Sequence, residues 1–356
     1  MRIALLNLPY DNNYGGNLQR YALMRMLQDM GHNVTHLNLR FDFNIAWYLK
    51  PIEYSKRFII KYLLGKDIQI KAEKTARAKY IKNCSITDTF YNRYITHTPV
   101  IKSKKELIKY NDYEAFIVGS DQVWRKQIAA KNLPRYFFDY LKKSNKLRVA
   151  YAVSFGTAEN ELSSMEIKQY GLLYKNFKAV SVRELSAIDL LRKYNWSQPN
   201  PVHLLDPTFL LTPEHYKEII ISGNTNACNG DLFCYILDRT QETDKIIQEV
   251  ALEKNLKPYF IYLNDPVSIP QWLRSFDEAK YVITDSFHGL VFSIIYNKPY
   301  RLIRNSFRGN ARFDSIMQTF NLSDECNEEM KWDYVNETIK QYTSKASSFI
   351  AEALKE

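Results

Sequence analysis

Short apolar runs alternate with longer stretches of helical spacing through most of this chain, and that alternation restricts the fold more than any other feature. Residues 2–7 form a brief apolar run that ends in a Pro/Asp/Asn/Gly cluster. Helical spacing follows over 16–30, carried by Leu18, Tyr21, Ala22, Met26 and Met30. Further strands are read at 33–39, 115–118, 147–155 and 179–182, with helices at 162–176 and 184–194. Residues 196–201 hold two prolines and suit a hinge. Beyond them the pattern resumes, with strands at 232–237, 258–263, 281–284 and 300–303 and helices at 242–254, 270–276, 288–296 and 313–320. Strands alternating with helices of about 10–15 residues build parallel sheets from βαβ units. The expected architecture is α/β, with two Rossmann-like domains facing a cleft. Residues 1–198 form the first, 199–331 the second, and 332–356 an amphipathic helix packing back on the first.

The length supports this division, because 356 residues at about 100–200 per domain give two domains with separate cores. With 46% apolar and 25% charged residues the chain is globular in composition, and no run approaches the 18 or so apolar residues of a membrane span. The first apolar stretch is too short for a signal peptide, so a cytoplasmic location is expected. Four cysteines in no CxxC pair argue against a disulfide framework or a zinc site, and His32 and His36 lack a third ligand nearby; no metal is expected. The net charge of +10 favours anionic partners, but no RNP1-like segment, zinc finger or helix-turn-helix pattern stands out, so nucleic acid is not among them.

One basic and aromatic segment, 41–70, interrupts the first half. Its core, 41–65, mixes Trp47, Tyr48, Phe58, Tyr62 and aliphatic residues with Lys50, Lys56, Arg57 and Lys61. Such a helix can lie in a membrane surface. The favoured reading is an insertion packed on its own domain.

Only 11 glycines occur, about 3% against a usual ~7%, and six fall at strand ends or in the loops after them, where ligands of open α/β sheets bind. Asn12-Asn13-Tyr14-Gly15-Gly16-Asn17-Leu18-Gln19 feeds a helix whose free N–H groups suit an anion or a sugar hydroxyl, or is an ordinary turn. Gly119-Ser120-Asp121-Gln122-Val123-Trp124 offers a carboxylate, an amide and an indole for a carbohydrate; alternatively Asp121 caps the next helix. Arg183 ends a buried strand, where a guanidinium needs either Glu184 or an anionic ligand, and its position favours the ligand. In Thr284-Asp285-Ser286-Phe287-His288-Gly289 the histidine opens a helix, with Asp285 placed to orient it. Arg304, Arg308 and Arg312 lie within nine residues that contain no acid, a candidate nest for phosphate or carboxylate.

Taken together, Asn13-Tyr14-Gly15-Gly16-Asn17-Leu18-Gln19, Val118-Gly119-Ser120-Asp121-Gln122-Val123-Trp124, Ser181-Val182-Arg183-Glu184, Leu205-Asp206-Pro207-Thr208 and Thr284-Asp285-Ser286-Phe287-His288-Gly289 resemble the polysaccharide pyruvyl transferase family, in the expected order over nearly the whole chain. The resemblance implies a GT-B-like fold and transfer of pyruvate from phosphoenolpyruvate to two hydroxyls of a sugar, giving a cyclic ketal and phosphate. No cofactor is implied beyond this co-substrate.

It also implies that His288 is catalytic, as acid or base, and that Arg183 binds the donor. Some members have Arg-Leu where this chain has Ser286-Phe287, which removes one expected donor-binding arginine. Arg308 or Arg312 is the candidate replacement, clamping the donor's anionic ends together with Arg183. Asp121 is an alternative base or a sugar ligand, and Asn13, Tyr14, Asn17, Gln122 and Trp124 are the candidate acceptor contacts. The expected acceptor is a sugar of galactose or mannose type, linked to a lipid diphosphate carrier at the inner face of the membrane. The alternative is a GT-B glycosyltransferase using a nucleotide sugar.

Overall fold

The computed structural model describes residues 1–355 except 42, 44, 46, 142, 143, 305–308, 328 and 329. Among the described residues, two parallel-rich sheets account for the strands. The first runs β2 (Asn33–His36), β1 (Arg2–Leu6), β3 (Ala115–Val118), β4 (Leu147–Val153), β5 (Ala179–Val182) and β6 (Val202–His203), all parallel. The second runs β11 (Glu325–Cys326), β10 (Tyr300–Leu302), β9 (Tyr281–Thr284), β7 (Leu232–Tyr235) and β8 (Pro258–Phe260), with only β11 antiparallel. Every residue of β3, β7 and β9 is buried, as expected of strands covered by helices on both faces. Pro258, which lacks an N–H for a ladder, starts an edge strand.

The order of the strands fixes where a ligand can sit. In the first sheet the connections leave β1 towards β2 and then cross to β3 on the other side; in the second they leave β7 towards β8 and cross to β9. Each reversal opens a crevice at the carboxyl ends of the flanking strands. The loops there are 7–13 and 119–125 in the first domain, and 236–240 and 285–288 in the second.

Three expectations are corrected. Because β6 pairs with β5, the first sheet continues past 198, and residues 196–201 join two elements of one domain instead of serving as a hinge between two. The second correction concerns the 41–70 segment. Its helix α2 (Lys50–Tyr62), following α1 (Tyr14–Asp29), buries no residue at all, so it is not packed into its domain. Its described side-chain hydrogen bonds run to the start of the next helix, α3 (Ala72–Tyr94), where Tyr54 and Arg57 both bond Glu73, and to the Ile70 carbonyl just before it. Third, Arg304, expected in an anion nest, is neutralised by acids from elsewhere in the chain. Arg304 is paired with Asp324 at 2.7 Å and with Asp314, Arg312 is buried, and Arg308 lies outside the described residues.

The helix Asp333–Ala353 lies against the edge of the first sheet. Tyr342 meets the ring of His203, and Lys345 donates to the His203 carbonyl. The main apolar cluster is continuous from Leu5 and Leu18 in the first domain to Phe233, Trp272 and Phe292 in the second.

Candidate active site

The two domains meet where the first turn of α1 abuts the helix Phe287–Ile295. Asn13 caps α1 by accepting from Gly16 N, and Ser286 caps the other helix by accepting from Gly289 N. Tyr14 crosses the seam: its hydroxyl donates to Val267 O and accepts from Val267 N, and its ring stacks on Trp272 at 5.2 Å. Gly15 lies directly against His288, and Gly289 lets its helix settle on Thr284, since a Cβ on Gly289 would come within 2.1 Å of Thr284 Oγ1. Both helices point their N-termini, the positive ends of their dipoles, at this junction.

A cleft of about 500 Å³ opens there. Asp11, Asn13, Asp121, Gln122 and Arg125 line it from the first domain, and Ser286, Phe287, His288 and Arg312 from the second. A more open hollow of about 1030 Å³ adjoins it across Arg125, lined also by Glu161 and Gly309.

Behind the cleft wall sits a buried charge cluster. Asp206 Oδ2 accepts from Arg183 Nη1 at 2.8 Å and from Gln19 Nε2 at 2.5 Å, and lies 3.7 Å from His288 Nε2. Its other oxygen accepts from the backbone and the hydroxyl of Thr208. Burial alone would raise the Asp206 pKa, but His288 and Arg183 outweigh it and hold this carboxyl well below the usual range. Burial likewise opposes the charge of Arg183, yet Asp206, Asp121 at 3.5 Å and Glu184 raise its pKa on balance. Arg312 differs: burial, then the nearby Arg183, bring its pKa down to about 10. Both guanidinium groups lie over the Phe287 ring, at 4.7 and 5.0 Å from its centroid.

The structure thus brings together His288, Asp121, Ser286, Phe287, Arg312, Asn13, Tyr14 and Gln122 around one cleft. Arg183 stands beside them but behind the wall; its closest acid is Asp206 at 2.8 Å, and Glu184, one of the two expected partners, lies 4.0 Å away. Glu184 also accepts from the backbone amides of Phe155 and Gly156. Trp124 is not at the cleft: it is buried in the first core, stacked on Phe137 at 4.8 Å. Asn17 is buried too, its amide spent on the carbonyls of Asp11 and Asn13. Asp285 does not orient His288; its carboxylate accepts from the amides of Leu237 and Asp238 and so ties down the loop after β7.

Asp121 does not cap a helix either. Its Oδ1 accepts from the next residue's amide, and its backbone is held at φ 76°, a region costly for a residue with a side chain. Asp11, Arg125 and Asp206 were not read from sequence as site residues. Asp206 was visible only as part of the Leu205-Asp206-Pro207-Thr208 motif.

The pattern of the polysaccharide pyruvyl transferase family matches residues 13–306, most of the chain and every cleft motif up to the helix of His288. The chain belongs to the polysaccharide pyruvyl transferase family. Membership makes it a transferase of polysaccharide pyruvylation. Arg312 lies beyond the matched stretch.

No curated protein matches this family member in sequence. Among solved structures, a Listeria monocytogenes protein described as a UDP-N-acetylglucosamine 2-epimerase superposes with a TM-score of 0.51 at 8% identity, over 99% of this chain and 90% of its own. The corresponding enzymes of Rickettsia bellii (0.48, 8%, 99% and 99%) and Neisseria meningitidis (0.46, 8%, 100% and 95%) are also similar. At these identities the likeness concerns the fold, which is GT-B-like.

Proposed function

We propose that this pyruvyl transferase family member takes pyruvate from phosphoenolpyruvate and joins it to two hydroxyls of one sugar as a cyclic ketal. The observation that carries this reading is the pairing of His288 with Arg312 around Phe287 in a single cleft, with the Asp206 carboxylate behind the imidazole. A guanidinium and two helix N-termini suit a small substrate bearing both phosphate and carboxylate. Arg312 supplies the cation that Ser286-Phe287 leaves out, and Arg183 supports it indirectly by fixing Asp206 and the Phe287 ring.

In the reaction the methylene carbon of the enol gains a proton, and the central carbon becomes electrophilic. A sugar hydroxyl adds to it, the phosphate ester bond breaks, and a second hydroxyl closes the ketal. Of the two hydroxyl protons, one balances that gained by the methylene and the other leaves on phosphate. His288 is the group placed to move a proton, and Asp206 offsets the charge that develops on the ring, as a buried carboxylate does behind a catalytic histidine. Asp121, Asp11 and Asn13 face the cleft from the acceptor side.

The test is a coupled phosphate-release assay with phosphoenolpyruvate and a panel of galactose- and mannose-containing glycans, with mass spectrometry of the acceptor. Phosphate release together with the added pyruvyl ketal is expected. Tight calorimetric binding of a nucleotide sugar, with no heat from phosphoenolpyruvate, would replace this reading by glycosyl transfer.

A further inference from the structure

Helix α2 is amphipathic with its orientation inverted. Tyr54 and Arg57 turn towards α3, where both bond Glu73 and Arg57 also bonds Ile70 O. The opposite face, open to solvent, carries Ile52, Phe58, Ile59, Tyr62 and Leu63, with Ile52 64% and Leu63 75% exposed. Trp47, Tyr48 and Leu49 continue it before the helix, Trp47 being 81% exposed, and Leu64 continues it after. An apolar strip of this extent is far from what a free surface normally shows.

Charge identifies what covers it. Residues 50–82 hold ten Lys and Arg against three Asp and Glu, a net of +7 within a chain of +10. Lys50, Lys56 and Lys66 are exposed around the strip, and Lys74, Arg77, Lys79 and Lys82 are exposed along α3. A second copy of this chain would bring +7 against +7, which opposes self-pairing. Apolar side chains flanked by lysines, with aromatic residues at one end, match the layered chemistry of an anionic bilayer surface. No helix among the described residues is long and apolar enough to cross a membrane, so α2 is suited to lie in the interface plane.

We infer that α2 and residues 47–49 form a peripheral docking element that seats its outward apolar face in an anionic lipid surface. Phe41, which precedes this element in the chain, lines the cleft. Binding requires nothing of the transfer reaction and stands or falls independently of it.

The test uses the full chain with vesicles of equal parts phosphatidylglycerol and phosphatidylcholine, compared with phosphatidylcholine alone. Cosedimentation at least about tenfold stronger on the anionic vesicles is expected, weakening as salt shortens the screening length. Trp47 emission should shift to shorter wavelength on binding. Ile59→Glu combined with Leu63→Glu, which touches no core contact, should lower partition by more than about tenfold with an unchanged melting temperature. Lys56→Ser with Lys66→Ser should lower it about fivefold per lysine. Failure of the unaltered chain to bind anionic vesicles, or equal binding by the Ile59/Leu63 variant, overturns the inference. So does a dimer in sedimentation velocity that the same variant dissolves while vesicle binding is absent.

Discussion

Gly15 and His288 stand so close that a Cβ on Gly15 would lie 2.0 Å from the imidazole Nδ1. The backbone of the first domain is therefore the wall against which a histidine of the second domain rests. Gly15→Ala has to displace that ring or push α1 outward. Since a misplacement of about 1 Å costs on the order of 10²-fold, kcat for phosphate release should fall by about that factor. A fully active Gly15→Ala enzyme would show that the contact does not set the geometry of the reaction.

Replacing the imidazole itself separates chemistry from binding. His288→Ala should retain affinity for phosphoenolpyruvate, measured by calorimetry, and lose about 10²–10⁴-fold in turnover. Near wild-type turnover would remove His288 from the proton transfers.

Arg312 carries the opposite expectation, because its guanidinium is the buried cation of the cleft wall. Arg312→Gln should raise KM for phosphoenolpyruvate by about 10- to 100-fold, the worth of a charged hydrogen bond, with a smaller change in kcat. A KM unchanged in this variant would place the donor elsewhere in the cleft.

Asp206 bears on stability as well as activity. Asp206→Asn keeps the shape but leaves the buried Arg183 with Asp121 at 3.5 Å and Glu184 at 4.0 Å as its remaining acids. A loss of about 3 kcal/mol in unfolding free energy is expected, because a buried charge loses its closest partner. Urea denaturation of the variant against the native chain measures it directly.

His203 makes stability depend on pH. Burial between β6 and the C-terminal helix lowers its pKa from 6.5 to about 4. Between those values the unfolded chain takes up a proton that the folded chain does not. The folded state is therefore fully favoured above pH 6.5 and loses about 1.4 kcal/mol per unit as pH falls towards 4. His203→Gln should flatten this part of the curve. An identical slope in both proteins would assign the acid sensitivity to other groups.

Much of the architecture was legible because parallel strands buried on both faces are written as plain apolar runs; β9 falls on the four residues read from sequence. The strand β6 was not legible, being two residues long and preceded by prolines. For α2 the spacing revealed two faces but not which one turns inward, since periodicity is the same either way. For Arg183 the sequence left two partners open, Glu184 or an anionic ligand, and favoured the ligand. The closest acid to Arg183 is Asp206 at 2.8 Å, far away in sequence, whereas Glu184 stands 4.0 Å from it and accepts from the amides of Phe155 and Gly156. Asp206 itself acquires meaning only when residues 19, 183, 206 and 288 are folded together, a convergence that no local pattern encodes.

The apolar interior that runs unbroken from Leu18 to Trp272, sealed by the Tyr14 bracket on Val267, has a mechanical consequence. Parting the lobes would wet that interior, so wide clamshell breathing is an expensive route for substrate entry. Under the proposed reaction the substrates have instead to thread into a standing crevice from its rim, and turnover should be paced by side-chain and loop adjustments at the entrance more than by swings of whole domains.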